Sequence, residues 1–480
     1  MPSVFRYNRV LKYIVKAELV QPMHVGSAGG DPEEVLIHPV DERPYLQAAG
    51  IAGVFRNAFR QILPEREDDL FGSSEEGDDA CFSRIVFSDG RLVGPDRGTQ
   101  TDQRTYCQGR PAALEFRLRI KIDRETGTAG TNEIKATRGE SGGRFNMQYV
   151  GAGTQLVFSV YILSDEKHEG DDACFRTILG TMENGIQFGG QRSNGCGYVK
   201  PAQILFHEYD LTNPEECSKW MEEDHFRGND YTDILGSIKS AAALNAYEVE
   251  VKGRTEGSLL VKAMIVPDVG ENAPDDMNMQ NAAGDYVIPG SSLKGAVRAR
   301  MEEIAEYLAS RSGIDAAALI ENAFGTDAQR LQENKGKPGN LRFRDTIVGS
   351  REENDMALIQ HRIHIDKFTG GVMHGALFST KDVHGKVDIR INITNRNNPD
   401  QTLALLLFAL RDLADGSYNL GSGYNVGKGF ITVERIDVKK PGENQSCRIA
   451  YESAEEHRGR VSGDQTIIRK ALKSLGGLTE

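Results

Sequence analysis

The chain has 480 residues, 39 % hydrophobic and 26 % charged, with a formal net charge of −13 and a pI near 5.4. That length exceeds one ordinary domain, and the balance is that of a soluble globular protein, which sets aside fibrous and disordered classes. Net acidity argues against a protein coated all over in nucleic acid, yet it permits a local basic groove, because phosphates respond to the surface that faces them.

The opening "MPSVFRYNRVLKYIVKAELVQP" lacks a signal-peptide core and cleavage site, no apolar run is long enough to span a membrane, and the expected place is the cytoplasm. Cys81, Cys107, Cys174, Cys196, Cys217 and Cys447 form no CxxC pair and have no His partner at zinc-finger spacing, so they read as reduced thiols. Next comes a glycine-rich loop, "HVGSAGGDPEEV", with His24, Ser27 and Asp31. "YLQAAGIAGVFRNAF" reads as strand, turn and helix. Acidic blocks such as "PEREDDL" and "SSEEGDD" fall in apparent loops and carry much of the negative excess. "TQLVFSVYIL", "YEVEVKGR", "SLLVKAMIV" and "KVDIRINIT" read as strands, and "IAGVFRNAFRQIL", "VRARMEEIAEYLASR" and "TLALLLFALRDL" as helices. In "VIPGSSLKGAVRAR" a short strand passes through Pro289 and Gly290 into a helix whose first turn Ser291 or Ser292 can cap. Lys294 and Arg298 sit one turn apart near that end, where free N–H groups and the helix dipole already favour an anion.

The same plan occurs twice. Gly53 aligns with Gly295 and Arg56 with Arg298; Phe71-Gly72 recurs as Phe324-Gly325. A strand ends in Asp89 in the first copy and in Asp345 in the second, and "KIDRETGTA" from Lys121 matches "HIDKFTGGV" from His364. "FGGQRSNGCGYV" from Phe188 matches "LGSGYNVGKGFI" from Leu420, pairing Gly189, Gly195 and Gly197 with Gly421, Gly427 and Gly429 without a gap. Matches in the same order imply a tandem duplication. We expect a first domain over 1–208, a polar linker over 209–243, a second domain over 244–445 and a C-terminal extension over 446–480. The mix of strands and helices lacks the rhythm of a doubly wound sheet and suits an α+β sandwich of the ferredoxin-like kind in each half, with helices on one sheet face and the other face free for a ligand. "GSGYNVGKG" is neither the dinucleotide fingerprint nor Walker A and precedes a strand; it reads as a tight turn or as a loop packed against a phosphodiester backbone.

In combination, "IPGSSLKG" with its basic helix, the Phe-Gly pair, the strand-end aspartate, "KIDRETGTA" and the late glycine loop resemble the RAMP superfamily. More narrowly, they resemble the backbone subunits of type III CRISPR effector complexes, in a fused double arrangement like that of type III-D systems. The resemblance implies two RRM-like domains with inserted thumb hairpins, and a cytoplasmic antiviral ribonucleoprotein in which the chain binds guide (CRISPR) RNA, target single-stranded RNA and other effector subunits. It implies that Ser291, Ser292, Lys294, Arg298, Gly421, Ser422, Gly427 and Lys428 contact guide RNA in the second half. In the first half, "QAAGIAG" has lost the serines and lysine, leaving Arg56, His24, Gly189, Gly190, Arg192 and Ser193. The thumb falls on residues 126–150, with Lys135, Arg138 and Arg144, and in the second half on a shorter segment over 368–378. The resemblance further implies endoribonuclease activity on target RNA by a metal-dependent attack of a ribose 2′-hydroxyl. Asp31 would serve the first half and Asp276 (or Asp275) the second, with a divalent cation, Mg2+ or Mn2+, as cofactor. The alternatives are an architectural subunit without chemistry and a guide-precursor processing RAMP endoribonuclease. The loop in both halves weighs against the latter.

Overall fold

The computed structural model describes residues 7–26, 33–73, 81–94, 112–120, 144–183, 185–226, 230–239, 244–263, 273–326, 336–443, 445–451 and 459–476. Two compact units result. The first comprises Met1–Glu115, Gln148–Arg192 and Cys196–Leu244; the second comprises Phe116–Met147, Ser193–Gly195 and Asn245–Glu480. Each is α+β, as expected. Asp31, Ser27, Cys107 and the thumb residues before Arg144 lie outside the described residues.

In the first half the chain runs β1 (Arg9–Leu19), β2 (Tyr45–Leu46), α1 (Ala48–Ile62), α2 (Glu67–Phe71), β3 (Ile85–Phe87), β4 (Gly90–Val93), β5 (Leu114–Ile120), β6 (Arg144–Val150), β7 (Gln155–Ser164), α3 (Asp171–Leu179), β8 (Val199–Asp210), α4 (Pro214–Glu222) and β9 (Thr232–Asp233). The sheet order is β2-β4-β7-β1-β8-β9, with β3 also paired to β7. Ile51, Val54, Phe55, Ala58 and Phe59 form the buried stripe of α1, and Phe55 packs against Phe87, Phe158, Phe175 and Phe188. Such a cluster is what a helix over one sheet face needs to bury.

The opposite face of this sheet, expected to be free, is covered. Trp220 of α4 lies against Tyr161 and Tyr209. Lys12, buried on β1, donates to Glu223 Oε2 at 2.7 Å and to the carbonyl of Asp224 at 2.6 Å. The segment expected to be a polar linker thus supplies α4 and the edge strand β9, which pairs with β8.

The second half continues with β10 (Asn245–Glu256), β11 (Asp276–Met277), β12 (Val287–Ile288), α5 (Gly290–Ser312), α6 (Ala316–Phe324), β13 (Leu341–Phe343), β14 (Thr346–Ile347), α7 (Arg351–Asp355), β15 (Gln360–Ile365), β16 (Val372–Lys381), β17 (Lys386–Thr394), α8 (Pro399–Ala414), β18 (Phe430–Lys440), β19 (Gln445–Ala450), β20 (Arg460–Gly463) and α9 (Thr466–Ser474). Its main sheet has the order β13-β17-β10-β18-β19-β20. Residues of the expected C-terminal extension therefore complete a sheet, and α9 buries Ile467 and Ala471 in the same core. "SLLVKAMIV" does not make a strand among its described residues; it holds isolated bridges at Leu259 and Lys262.

The duplication is written in the backbone. β1 lies between β7 and β8, and β10 between β17 and β18. The register of β1 with β8 slips between Lys16 and Ala17, and that of β10 with β18 between Lys252 and Gly253. Gly189, Gly195 and Gly197 adopt positive φ, as do Gly421, Gly427 and Gly429. Phe188 N donates to Gly197 O at 2.9 Å, and Leu420 N donates to Gly429 O at the same distance. These glycine loops are pinched turns that a side chain would block: a Cβ at Gly197 would lie 1.9 Å from the Phe188 carbonyl oxygen, and one at Gly429 2.0 Å from that of Leu420.

Candidate nucleic-acid interface

The start of α5 is built from a distance. Pro289 is its N-cap residue and gives no side-chain cap. Instead Asp345 Oδ1, at the end of β13, accepts from Gly290 N at 2.8 Å. In the first half Asp89 Oδ1 accepts from Ala48 N at 2.7 Å, the first residue of α1. The aspartates that recur in the sequence are therefore remote helix caps. Ser291 and Ser292, expected as caps, lie within the first turn. Their hydroxyls make no hydrogen bond among the described residues.

Relieved of capping, this turn faces a cluster of cations. Lys294 Nζ donates to Ser193 Oγ at 2.8 Å, and both residues belong to the second unit. Burial pushes the Lys294 ammonium down to about 8, and the neighbouring Arg298, Arg119 and Arg342 push the same way. No carboxylate pairs with Lys294 among the described residues, whereas Arg298 Nε binds Glu302 at 2.9 Å. Asp345, the nearby acid, is neutralised by Arg117 at 2.6 Å with both side chains buried. A lysine held partly dry among guanidiniums, next to free serine hydroxyls at a helix N-terminus, is an unmet demand for an anion with several acceptor oxygens. Arg119 and Arg342 were not singled out in the sequence, because nothing local links them to the "GSSLKG" turn.

Other expected contacts are engaged inside the protein. Arg56 is bound to Glu67 at 2.7 Å, to Asp68 at 3.2 Å and to the Gly72 carbonyl at 3.1 Å. His24 is buried, its Nδ1 2.8 Å from the Gln148 carbonyl oxygen. Its own carbonyl accepts from Gly190 N at 2.8 Å, and Gly189 packs against it. Arg192 Nε donates to Gly189 O at 3.0 Å. Lys428 is buried as well. It forms an ion pair with Asp382 and donates to Thr380 Oγ1 at 3.1 Å, so it anchors the glycine loop from below rather than pointing to solvent. Ser422 is tied to the Leu260 carbonyl through N and Oγ, at 2.9 and 3.1 Å. Gly421 packs against that carbonyl, and Gly427 is open. The loop instead exposes Tyr424, 58 % accessible, which the sequence reading passed over. An aromatic at the tip of a glycine loop offers a base-stacking face.

The segment expected as the second-half thumb lies in the hairpin β15–β16. Asp366 accepts from Phe368 N and Thr369 N at 2.9 and 2.8 Å, so the recurring Ile-Asp-basic-x-Thr-Gly motif is here a hairpin turn. Phe368 at its tip is 98 % exposed, and Ile363, Ile365, Val372 and Leu377 are exposed along it. A protruding apolar hairpin is stable in water only as part of a larger interface.

The candidate catalytic carboxylates of the second half have different partners. Asp275 Oδ2 accepts from Ser379 N at 2.6 Å and from Ser379 Oγ at 3.0 Å, which holds its carboxyl below the usual range and locks it to β16. Asp276, on β11, keeps a third of its side chain exposed and meets Lys262 Nζ at 2.5 Å. A divalent cation held by protein carboxylates would need one of these freed. Among the described residues no cluster of three His, Cys, Asp or Glu side chains is poised for a metal, and the exposed Asp276 carboxylate already has Lys262 as its partner. Bridge register also relates the halves. Gly26 pairs with Val35 as Lys262 pairs with Asn278, so by register Glu33 is the described first-half counterpart of Asp276. Lys262 has Gly26 as its counterpart.

Residues 16–200 and 253–432 each match the RAMP superfamily. No curated protein matches the chain. Among solved structures, a chain from a cryo-EM structure of the type III-B Cmr-beta bound to cognate target RNA is similar at 13 % identity with a TM-score of 0.30, covering 41 % of this chain and 61 % of that one. The alignment thus spans about three-fifths of that chain's length. No helix among the described residues is long and apolar enough to cross a membrane.

Proposed function

The chain belongs to the RAMP superfamily in two tandem copies, and from that premise we propose that it is a double backbone subunit of a type III CRISPR ribonucleoprotein, fused in the manner of type III-D. In this reading it binds guide RNA, presents it to complementary target single-stranded RNA, and cuts that target at one position per half. The partners are the two RNAs and neighbouring effector subunits, and the complex is cytoplasmic. The observation that carries the reading is the Lys294–Ser193 contact among Arg298, Arg119 and Arg342, with no carboxylate on the lysine. An RNA phosphate meets that need: it takes a charge-assisted bond from Lys294 and further bonds from Ser291 and Ser292. Arg56, His24 and Lys428 act from inside their own units, each holding a turn rather than facing an RNA.

Target cleavage follows the family's 2′-hydroxyl chemistry in this reading, with Asp31 serving the first half and Asp276 the second. A divalent cation, Mg2+ or Mn2+, belongs to the Asp31 centre, where it would neutralise the phosphodiester under attack. The exposed hairpin β15–β16 supports a thumb that separates nucleotides, with Phe368 as wedge.

The test is purification from cells carrying the whole operon. The reading expects short RNAs of uniform repeat-derived end, together with other effector subunits. RNA-free protein without partners would refute it. An architectural subunit would also carry guide RNA but would leave an end-labelled target whole.

A further inference from the structure

The two halves differ in charge beside the candidate carboxylate. Lys262 Nζ lies 2.5 Å from Asp276 Oδ2, while the first-half counterpart of Lys262 is Gly26, which has no side chain to offer a cation. The correspondence rests on several independent matches. Gly26 bridges Val35 and Lys262 bridges Asn278. Leu36 N donates to Val25 O at 2.7 Å, and Met279 N donates to Val261 O at 2.8 Å. Gly190 N donates to His24 O at 2.8 Å, and Ser422 N donates to Leu260 O at 2.9 Å. The neighbouring acid cannot replace Asp276, since Ser379 takes one oxygen of Asp275 with both N and Oγ.

We propose that the second-half centre works without a divalent cation, because Lys262 supplies in place the positive charge that the first half must recruit. This rests on the nuclease reading above and adds to it a distinction between the two sites. Both side chains are accessible, Lys262 at 55 % and Asp276 at 33 %, so a phosphodiester can reach them. The ribose 2′-oxygen attacks phosphorus, a 2′-O–P bond forms and the bond to the 5′-oxygen breaks. The 2′-hydroxyl proton passes through the Asp276 carboxylate to the departing 5′-oxygen, leaving a 2′,3′-cyclic phosphate and a 5′-hydroxyl with no other reactant consumed. The Lys262 ammonium, already beside Asp276, neutralises the charge that grows on the non-bridging oxygens. A Mg2+ ion arriving with the RNA would have to displace Lys262 from this carboxylate, and at close range the fixed ammonium competes with it.

The experiment uses the assembled, guide-loaded complex with an end-labelled target, in Mg2+ and in EDTA at constant monovalent salt. The expected result is that EDTA lowers the first-half product at least a hundredfold and the second-half product less than about threefold. Lys262→Met should lower the second product at least tenfold in EDTA, and Lys262→Arg should retain it. Mn2+ binding followed by electron paramagnetic resonance gives a readout apart from activity. Wild type and Asp276→Ala should bind the same number of ions, and Lys262→Met should gain one that Asp276→Ala removes. Loss of both products together in EDTA would overturn the proposal, as would an Asp276-dependent Mn2+ ion in the wild type. Absence of both products in Mg2+ would refute the nuclease reading instead, and the Mn2+ count would then decide whether Lys262 excludes a cation from Asp276.

Discussion

Lys294 Nζ donates to Ser193 Oγ at 2.8 Å, joining residues 101 positions apart, one from the first copy's glycine loop and one from the second copy's helix start. Each belongs to a different recurring motif. Their meeting joins two recurring elements at one buried lysine, and burial gives that lysine a physical signature, an ammonium pushed down to about 8.

That signature sets a pH dependence. Lys294 loses its charge as pH rises through about 8, so guide affinity should fall between pH 7 and 9 in the wild type and hold steadier in Lys294→Arg. Lys294→Ala should weaken binding about tenfold or more and reduce the slope of log affinity against log salt by nearly one, measured by filter binding. Stability moves the other way. The folded-state value lies below the unfolded one of about 10.4, so the unfolded chain binds more protons between the two, and charging the lysine at neutral pH opposes folding. Lys294→Met should therefore stabilise the RNA-free protein, by on the order of 1–3 kcal/mol, seen as a higher Tm.

Separate carboxylates should serve separate cuts. Asp276→Ala should remove the second-half product and Asp31→Ala the first, each with guide binding retained, on a sequencing gel of labelled target. Glu33→Ala belongs in the same series, because the bridge register makes Glu33 the repeat counterpart of Asp276. If Glu33→Ala removes the first cut and Asp31→Ala does not, the reacting carboxylate of the first half is Glu33.

Lys428 should behave as a structural residue. Its ion pair with Asp382 is buried on both sides, so Lys428→Met leaves an uncompensated carboxylate and should cost about 3–5 kcal/mol. Replacing both, Lys428→Met with Asp382→Leu, should restore much of the loss. Denaturant unfolding measures each. The salt slope of guide binding should not change in whichever variant folds.

The glycine loop separates two kinds of glycine. Gly427 has φ +77° and open space around it, whereas Gly429 has φ +83° and would place a Cβ 2.0 Å from Leu420 O. Gly427→Ala should cost about 1–2 kcal/mol from backbone strain alone. Gly429→Ala should cost clearly more and should loosen the Leu420–Gly429 pairing, which hydrogen exchange at the Leu420 amide would report.

What the sequence made legible is what is encoded locally. Positive-φ glycines, amphipathic helices and the order of recurring motifs revealed the duplication, the α+β class and the turn bearing Lys294, since each depends on residues a few positions apart. Misreadings came from partners far away in the chain. Arg56 and Lys428 look like free cations until Glu67 and Asp382 are seen beside them, and His24 looks available until Gln148 covers it. Ser291 and Ser292 satisfy the capping rule, yet Asp345 reaches the amide first. Arg119 and Arg342 could not be connected to Lys294 by spacing, because the three come from different strands and a helix.

The second unit incorporates Phe116–Met147 and Ser193–Gly195, stretches that precede its own start in the chain. Within it, Arg117 neutralises the aspartate that caps α5, and Ser193 holds the lysine of that helix's first turn. The copies are therefore interlaced rather than strung end to end. A gene split at residue 244 would not yield two free-standing subunits, because the later fragment would lack the guanidinium that balances a buried carboxylate and the hydroxyl that orients Lys294. Fusion here locks the copies into a fixed order and a one-to-one ratio, and makes stretches of the first copy part of the second unit's fold.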